Sequence, residues 1–218
     1  MEVVAVVPAA GSGERLGAGS PKALVEVAGV AMVTRAVDGL LASGVVDEVI
    51  VVAPPDHLEE MAAVTTTGRV VPGGHDRVAS VALGLAEAPD ADVVLVHDAA
   101  RCLCPAAVVS AVVEAVRAGA PAVVPAIPVA DTVRRARPEG GVELVDRTGL
   151  LAVQTPQGFD ADLLRRAHAA AGEHRATDDA GLVEALGGRI VTVPGDPRAF
   201  KITTPLDLAM AEALVRAL

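Results

Sequence analysis

The chain contains no Trp and no Tyr, and its only aromatic rings of that class are Phe159 and Phe200. Single-stranded nucleic acid is gripped by aromatic stacking platforms, so that mode of binding is excluded. Lysine is almost as scarce: Lys22 and Lys201 stand against sixteen arginines. The formal net charge is −10, the opposite of the basic footprint that a nucleic-acid surface needs. No apolar run approaches the ~20 residues of a membrane span, and the N-terminus reads as a strand without the basic leader of a signal peptide. A cytoplasmic protein that engages neither nucleic acid nor membrane is expected. Cysteine is limited to Cys102 and Cys104 in "RCLCP". No second pair and no His cluster completes a four-ligand metal set, so both are read as small packed side chains.

What the chain does have is small apolar residues. It is 52% hydrophobic, chiefly through Ala and Val, and 218 residues are enough for one domain, 1–218, with a substantial core. Short β-branched runs at 2–7, 48–53, 69–72, 92–97, 121–126 and 189–193 read as strands covered on both faces. Between and after them, 31–43, 56–64, 76–88, 105–118, 160–171, 178–187 and 204–217 read as helices. The last starts cleanly, with Thr204 as cap, Pro205 at the first helical position and Asp207 in the first turn. The alternation predicts an α/β, Rossmann-like fold: a mostly parallel sheet with helices on both faces. Residues 128–150 break the rhythm with two short segments around "RPEGG", the pattern of a β-hairpin. Charged and poor in apolar surface, it needs a packing partner, and we expect a projecting arm that docks on a second subunit.

Open parallel sheets bind ligands beyond the carboxyl ends of their strands, which puts weight on the loop after the first strand, "PAAGSGERLGAGSPKAL" (8–24). Its small residues let backbone N–H groups approach a phosphate chain. Two known phosphate loops do not fit. The dinucleotide fingerprint needs G-x-G-x-x-G and a ribose-binding acid after the second strand; here the spacing is one residue longer and that strand runs into Ala53-Pro54-Pro55. The nucleoside-triphosphatase loop needs Gly-Lys-Ser/Thr, whereas Lys22 lies between Pro21 and Ala23. What remains is a Gly-lined turn flanked by Arg15 and Lys22, which concentrates positive charge for a polyphosphate. A compact ammonium kept in a chain that otherwise uses Arg suggests a point charge was wanted.

That loop resembles the signature of the cytidylyltransferases, within the nucleotidyltransferase class. Seven further blocks follow in order: "GGHDRVASV" (73–81), "VHDAAR" (96–101), "ADTV" (130–133), "VDRTGL" (145–150), "QTPQGF" (154–159), "ATDDA" (176–180) and "FKITTPLDL" (200–208). Over essentially its whole length the chain is similar to the 2-C-methyl-D-erythritol 4-phosphate cytidylyltransferase family of the non-mevalonate isoprenoid pathway. The resemblance implies a reaction between cytidine triphosphate (CTP) and a polyol phosphate, in which an acceptor phosphate oxygen attacks the α-phosphorus and pyrophosphate leaves. Positioning and charge neutralisation dominate such chemistry.

By that resemblance Arg15 and Lys22 stabilise charge at the α-phosphate, and the backbone of Ala9, Ala10 and Gly11 holds the nucleotide. Gly74, Arg77 and Ser80 belong to cytosine and ribose recognition. Asp98, Ala99 and Arg101 lie toward the acceptor, and Asp98 is the carboxylate for Mg²⁺, a hard cation that keeps few protein ligands. His97 is read as a strand-end packing residue rather than a ligand or base. Thr132 and Arg147 sit on the arm, which in the family swaps between the subunits of a homodimer; Arg147 then forks onto the acceptor phosphate. Thr155 and Thr177 offer hydroxyls to the polyol phosphate, and Lys201 positions the attacking phosphate. Departures from the family are Ala199-Phe200 before Lys201, where Asn-Ile is common, His75 in place of an acid, and Cys102 in place of Pro. Phe200 is expected to fill core space, and Asp196 is a further acid near the metal. Two rival readings are a ribitol 5-phosphate or related pentitol-phosphate cytidylyltransferase, separated only by small apolar contacts, and, more remotely, a non-catalytic nucleotide-binding protein.

Overall fold

A computed structural model describes residues 1–11, 20–171 and 177–217. Its strands are β1 (Val3–Pro8), β2 (Glu26–Val27), β3 (Val30–Ala31), β4 (Glu48–Ala53), β5 (Arg69–Pro72), β6 (Val93–Val96), β7 (Ala122–Pro128), β8 (Arg134–Ala136), β9 (Val142–Leu144), β10 (Leu151–Val153), β11 (Gln157–Asp160) and β12 (Ile190–Pro194). Its helices are α1 (Met32–Leu41), α2 (Leu58–Val64), α3 (Arg77–Ala86), α4 (Ala106–Arg117), α5 (Ala161–Ala170), α6 (Asp179–Ala185) and α7 (Pro205–Ala217). Every strand and helix expected from the sequence is present, to within a residue or two at the ends. At the start of α7, Thr204 Oγ1 accepts from Asp207 N, while the Asp207 carboxylate accepts from Thr203 N and Thr204 N.

The main sheet runs β10-β7-β11-β6-β1-β4-β5, and β12 adds to the other edge of β7. Pairs β5-β4, β4-β1, β1-β6 and β7-β12 are parallel; β11 is antiparallel to both β6 and β7. Strand β11 is not among the expected strands, because "QTPQGFD" has turn residues and no apolar run. What makes it a central strand is Gln157, fully buried yet satisfied: Nε2 donates to Asp178 Oδ2 and Oε1 accepts from Ala180 N.

The strands alternate between two cores, as the two-residue side-chain period demands. Val3, Ala5, Val7, Val49, Val51 and Leu95 pack with α1 and α4, whereas Val4, Val6, Ile50, Val52, Val94 and Phe159 pack with α3, α5 and α6. Burial on both faces is why β1 and β4 read as unbroken apolar runs. A third cluster of Val27, Met32, Ala36, Ala100, Cys102, Ile202 and Ala211, with Phe200 against it, ties α7 and the β2–β3 hairpin to the turn after β6. Phe200 therefore fills core space, as expected. Among the described residues no helix is long and apolar enough to cross a membrane.

Strands β8 and β9 form a separate two-stranded sheet within 128–150. Val142 and Leu144 are exposed on one face, and Glu143, on the other, pairs with Arg135 and Arg137.

Helix α3 lies close on the sheet at Gly84, where a Cβ would stand 2.5 Å from Val6 Cγ1 and 2.9 Å from Val52 Cγ2. Gly→Ala within a helix ordinarily gains about 1 kcal/mol, but overpacking a dense core costs about 1–3 kcal/mol. Because both opposing methyls are fully buried strand residues, Gly84→Ala is expected to lose about 1–2 kcal/mol net. A denaturant midpoint at or above that of the parent protein would contradict this close packing.

Candidate active site

Strands β1, β4, β5 and β6 end at the same edge, and their connections wall a cleft of about 520 Å³. Pro8 ends β1, and Ala9, Ala10 and Gly11 follow it; Pro54 and Pro55 follow β4; Gly74, His75, Asp76 and Arg77 follow β5; Asp98, Ala99 and Ala100 follow β6. Backbone bonds carry the register past the strand ends: Ala9 N donates to Val52 O, Gly73 N to Ala53 O, and His97 N to Val6 O. Lys22 N donates to Gly11 O at 2.9 Å, closing the base of the opening loop and placing Lys22 on the wall. Arg15 lies outside the described residues. A Cβ on Gly11 would meet nothing among the described residues within 4 Å, and this glycine lines the cleft.

Asp98 organises the floor. Its carboxylate is mostly buried, with Oδ2 3.0 Å from Lys201 Nζ and 3.6 Å from Arg101 Nε. Burial alone would raise its pKa; Lys201, Arg77 and Arg101 together outweigh that and hold the group below the ordinary carboxylate value. Arg101 also donates to the carbonyls of Ala199 (2.8 Å) and Val153 (3.4 Å), and Ile202 N donates to Ala100 O. These bonds fix the backbone on both sides of Lys201 with no side-chain amide at position 199.

Behind Asp98 is a buried polar chain. Asp98 N donates to Thr155 Oγ1 at 3.0 Å, and that hydroxyl lies 3.1 Å from His97 Nδ1. Burial pushes the His97 pKa down to about 4, so the ring is neutral at neutral pH, and its tautomer decides which partner donates in the contact with the Thr155 hydroxyl. His97 is thus a packed strand-end residue, as expected, and the Thr155 hydroxyl is committed to the protein. Burial also pushes the Cys102 and Cys104 thiols up to about 11 and about 12, which keeps both as protonated, packed side chains.

At the start of α3, Ser80 Oγ accepts from Gly74 N at 3.1 Å and donates to Asp76 O at 2.7 Å. A Cβ at Gly74 would stand 2.5 Å from Ala79 Cβ; the close approach allowed by this glycine is that of its own helix. Thr132, Thr155, Thr177, Arg101 and Arg147 do not line the cleft that the described residues form. Arg147 donates to the carbonyls of Val129 and Ala130 on the arm. Asp196 is taken up locally, capping a short turn and pairing with Arg198. Conversely, Pro54, Pro55, Asp76 and Thr203 line the cleft unforeseen. The prolines were within reach of the rule that strand carboxyl ends face the ligand.

Residues 3–217 match the model of the family described as 2-C-methyl-D-erythritol 4-phosphate cytidylyltransferase. Proteins of that name from Saccharopolyspora erythraea and Nocardia farcinica are each 58% identical to this chain, over 99% and 98% of it and 100% and 94% of their own lengths. Among solved structures, the 2-C-methyl-D-erythritol 4-phosphate cytidylyltransferase of Thermus thermophilus superposes with a TM-score of 0.83 at 38% identity, covering 99% of this chain and 100% of that one. The 4-diphosphocytidyl-2C-methyl-D-erythritol synthase of Anaerococcus prevotii gives 0.85 at 27% identity, covering 99% and 96%.

Removing the Thr155 hydroxyl strands both the Asp98 N–H and His97 Nδ1, and an unmet buried polar group costs about 1–3 kcal/mol. Thr155→Val should therefore lower unfolding free energy by about 1–3 kcal/mol, and Thr155→Ser should restore most of it. A Thr155→Val protein as stable as its parent in urea would show that this link carries no weight.

Proposed function

The chain belongs to the 2-C-methyl-D-erythritol 4-phosphate cytidylyltransferase family, and we propose how its cleft performs that family's reaction. The enzyme transfers the cytidylyl group of CTP to 2-C-methyl-D-erythritol 4-phosphate and releases pyrophosphate, within non-mevalonate isoprenoid biosynthesis. The observation that carries the mechanism is that Lys22, Arg77 and Lys201 line one cleft with Asp98 at the strand ends.

CTP lies against the backbone of Ala9, Ala10 and Gly11, with its base and ribose toward Gly74, Arg77 and Ser80. The bond that forms joins an acceptor phosphate oxygen to the α-phosphorus; the bond that breaks joins the α-phosphorus to the oxygen leaving with pyrophosphate. No proton need move between carbon or nitrogen centres, so the work of the protein is alignment and charge compensation. Lys22, with Arg15 assigned beside it from sequence, faces the charge that builds at the α-phosphate. Lys201 holds the acceptor phosphate.

Mg²⁺ takes one or two carboxylates and completes its shell with water and substrate phosphates, and a single ionised Asp98 at the cleft floor fits that requirement. Asp98 would hold the ion, which would supply charge neutralisation for the substrate phosphates.

The arm completes the acceptor side from a second subunit. Its hairpin buries almost nothing in its own chain: Val142 and Leu144 are exposed on β9, and Leu151 and Val153 are exposed on the adjoining β10 of the main sheet. A lone two-stranded hairpin is marginal in water, and these side chains supply the apolar face of a homodimer contact. Arg147, carried on that arm, reaches the partner's acceptor phosphate, with Thr132 beside it.

Pyrophosphate release from CTP should require methylerythritol phosphate, fall sharply with ribitol 5-phosphate as acceptor, and stop when a chelator removes Mg²⁺. Lys22→Ala should lower kcat about 10²-fold or more, the scale of losing one transition-state charge donor, and a near-normal kcat would remove Lys22 from the chemistry. Arg147→Ala should instead raise the acceptor KM about tenfold or more, as loss of a charged hydrogen bond does. Leu144→Asp should sediment as a monomer with the same acceptor defect; a fully active monomer would exclude the swapped arm.

A further inference from the structure

Three helix ends converge beside the cleft. Arg77 is the first residue of α3, Asp179 the first of α6, and His168 lies in the last turn of α5. The Asp179 side chain has no exposure, that of His168 is 4% exposed, and that of Arg77 is 31% exposed. Asp179 Oδ2 stands 2.7 Å from Arg77 Nη2, and Asp179 Oδ1 stands 2.9 Å from His168 Nε2. An ionised carboxylate only accepts, so His168 Nε2 carries the hydrogen.

Arg77 is awkwardly placed by local rules. A helix N-terminus carries positive partial charge and favours anions, yet this one begins with a guanidinium. Asp179 has the opposite situation: its charge is favoured at the start of α6, but full burial demands a partner. The two needs meet in one contact. Among the described residues no N–H is well aligned on Oδ2, so Arg77 is tethered by charge, and it is Oδ1 that makes the directed bond, to His168. Asp179 is itself held by its helix, whose cap Asp178 accepts from Gly181 N and from Gln157 Nε2 of β11.

We propose that Asp179 and His168 are positioning residues for nucleotide selection: His168 orients Asp179, and Asp179 fixes the guanidinium of Arg77 at the cleft wall where CTP binds. This rests on the placement of the CTP base and ribose at α3. Neither residue touches the cleft, so both act through Arg77. Without the tether, the long side chain must be ordered by CTP itself, at a cost in binding.

The test compares KM for CTP with kcat, and CTP affinity by calorimetry, in variants whose folding is checked by thermal melting. Asp179→Asn and His168→Leu are expected to raise CTP KM and Kd about five- to tenfold, near 1 kcal/mol, with kcat changed less than about twofold. His168→Gln, which keeps a donor for Oδ1, should stay near the parent value. In an Arg77→Gln background, Asp179→Asn should add nothing further, because coupled residues are not additive. If Asp179→Asn does not fold, the contrast between His168→Leu and His168→Gln carries the same test. Unchanged CTP KM in folded Asp179→Asn and His168→Leu, while Arg77→Gln raises it, would overturn this inference alone, as would full additivity with Arg77→Gln. Unchanged CTP KM in Arg77→Gln would overturn it together with the placement of CTP at α3.

Discussion

An ionised carboxylate most of the way out of water is stable only if cations surround it, and Asp98 at the end of β6 sets that condition for the whole cleft. Lys201 answers it from the segment before α7, Arg101 from the turn after β6, and Arg77 from the start of α3. Because Arg77 also faces Asp179, charge alternates from Lys201 through Asp98 and Arg77 to Asp179, and ends at His168. Elements far apart in the chain are thereby held to one point. The same cations are what a triphosphate and an acceptor phosphate require, so the arrangement that keeps Asp98 ionised also makes the site receptive to anions.

That cluster sits in a frame built almost wholly of small side chains. Successive Val, Ile and Ala side chains of β1 and β4 fill two cores in alternation, with the ring of Phe159 in the second of them. Small residues permit close approach of helix to sheet, as at Gly84, and bring the first turn of α3 up to the ends of β4 and β5. Ser80 then closes the turn by bonding Gly74 N and Asp76 O. The placement of the first turn of α3 along the cleft wall follows from this close packing.

The arm obeys a different constraint. It contributes little to its own core and leaves its apolar residues in water, which favours a second surface that covers them. In the proposed dimer the acceptor side is completed by that arm, so Arg147 is carried on the hairpin instead of lining the cleft of its own chain.

The repeating frame was legible in the sequence because it is dictated locally. Two-face burial makes β1, β4 and β6 nearly continuous in apolar residues, and Thr204-Pro205 with Asp207 announces α7 by its own hydrogen bonds. That Ala9, Ala10, Gly11, Lys22, Asp98 and Lys201 line one cleft was legible for a similar reason, since each follows a strand end or sits in a contiguous motif. What the order of residues alone did not reveal depends on partners distant along the chain. Strand β11 exists because Gln157 finds Asp178 and Ala180, the Thr155 hydroxyl is spent on His97 and Asp98 N, and Gly74 makes room for Ala79. Arg77 is held by Asp179 and His168, more than ninety residues away. Periodicity and capping act over a few residues and can be read in order; charge pairing and burial act through space, so only the folded chain decides which residues meet.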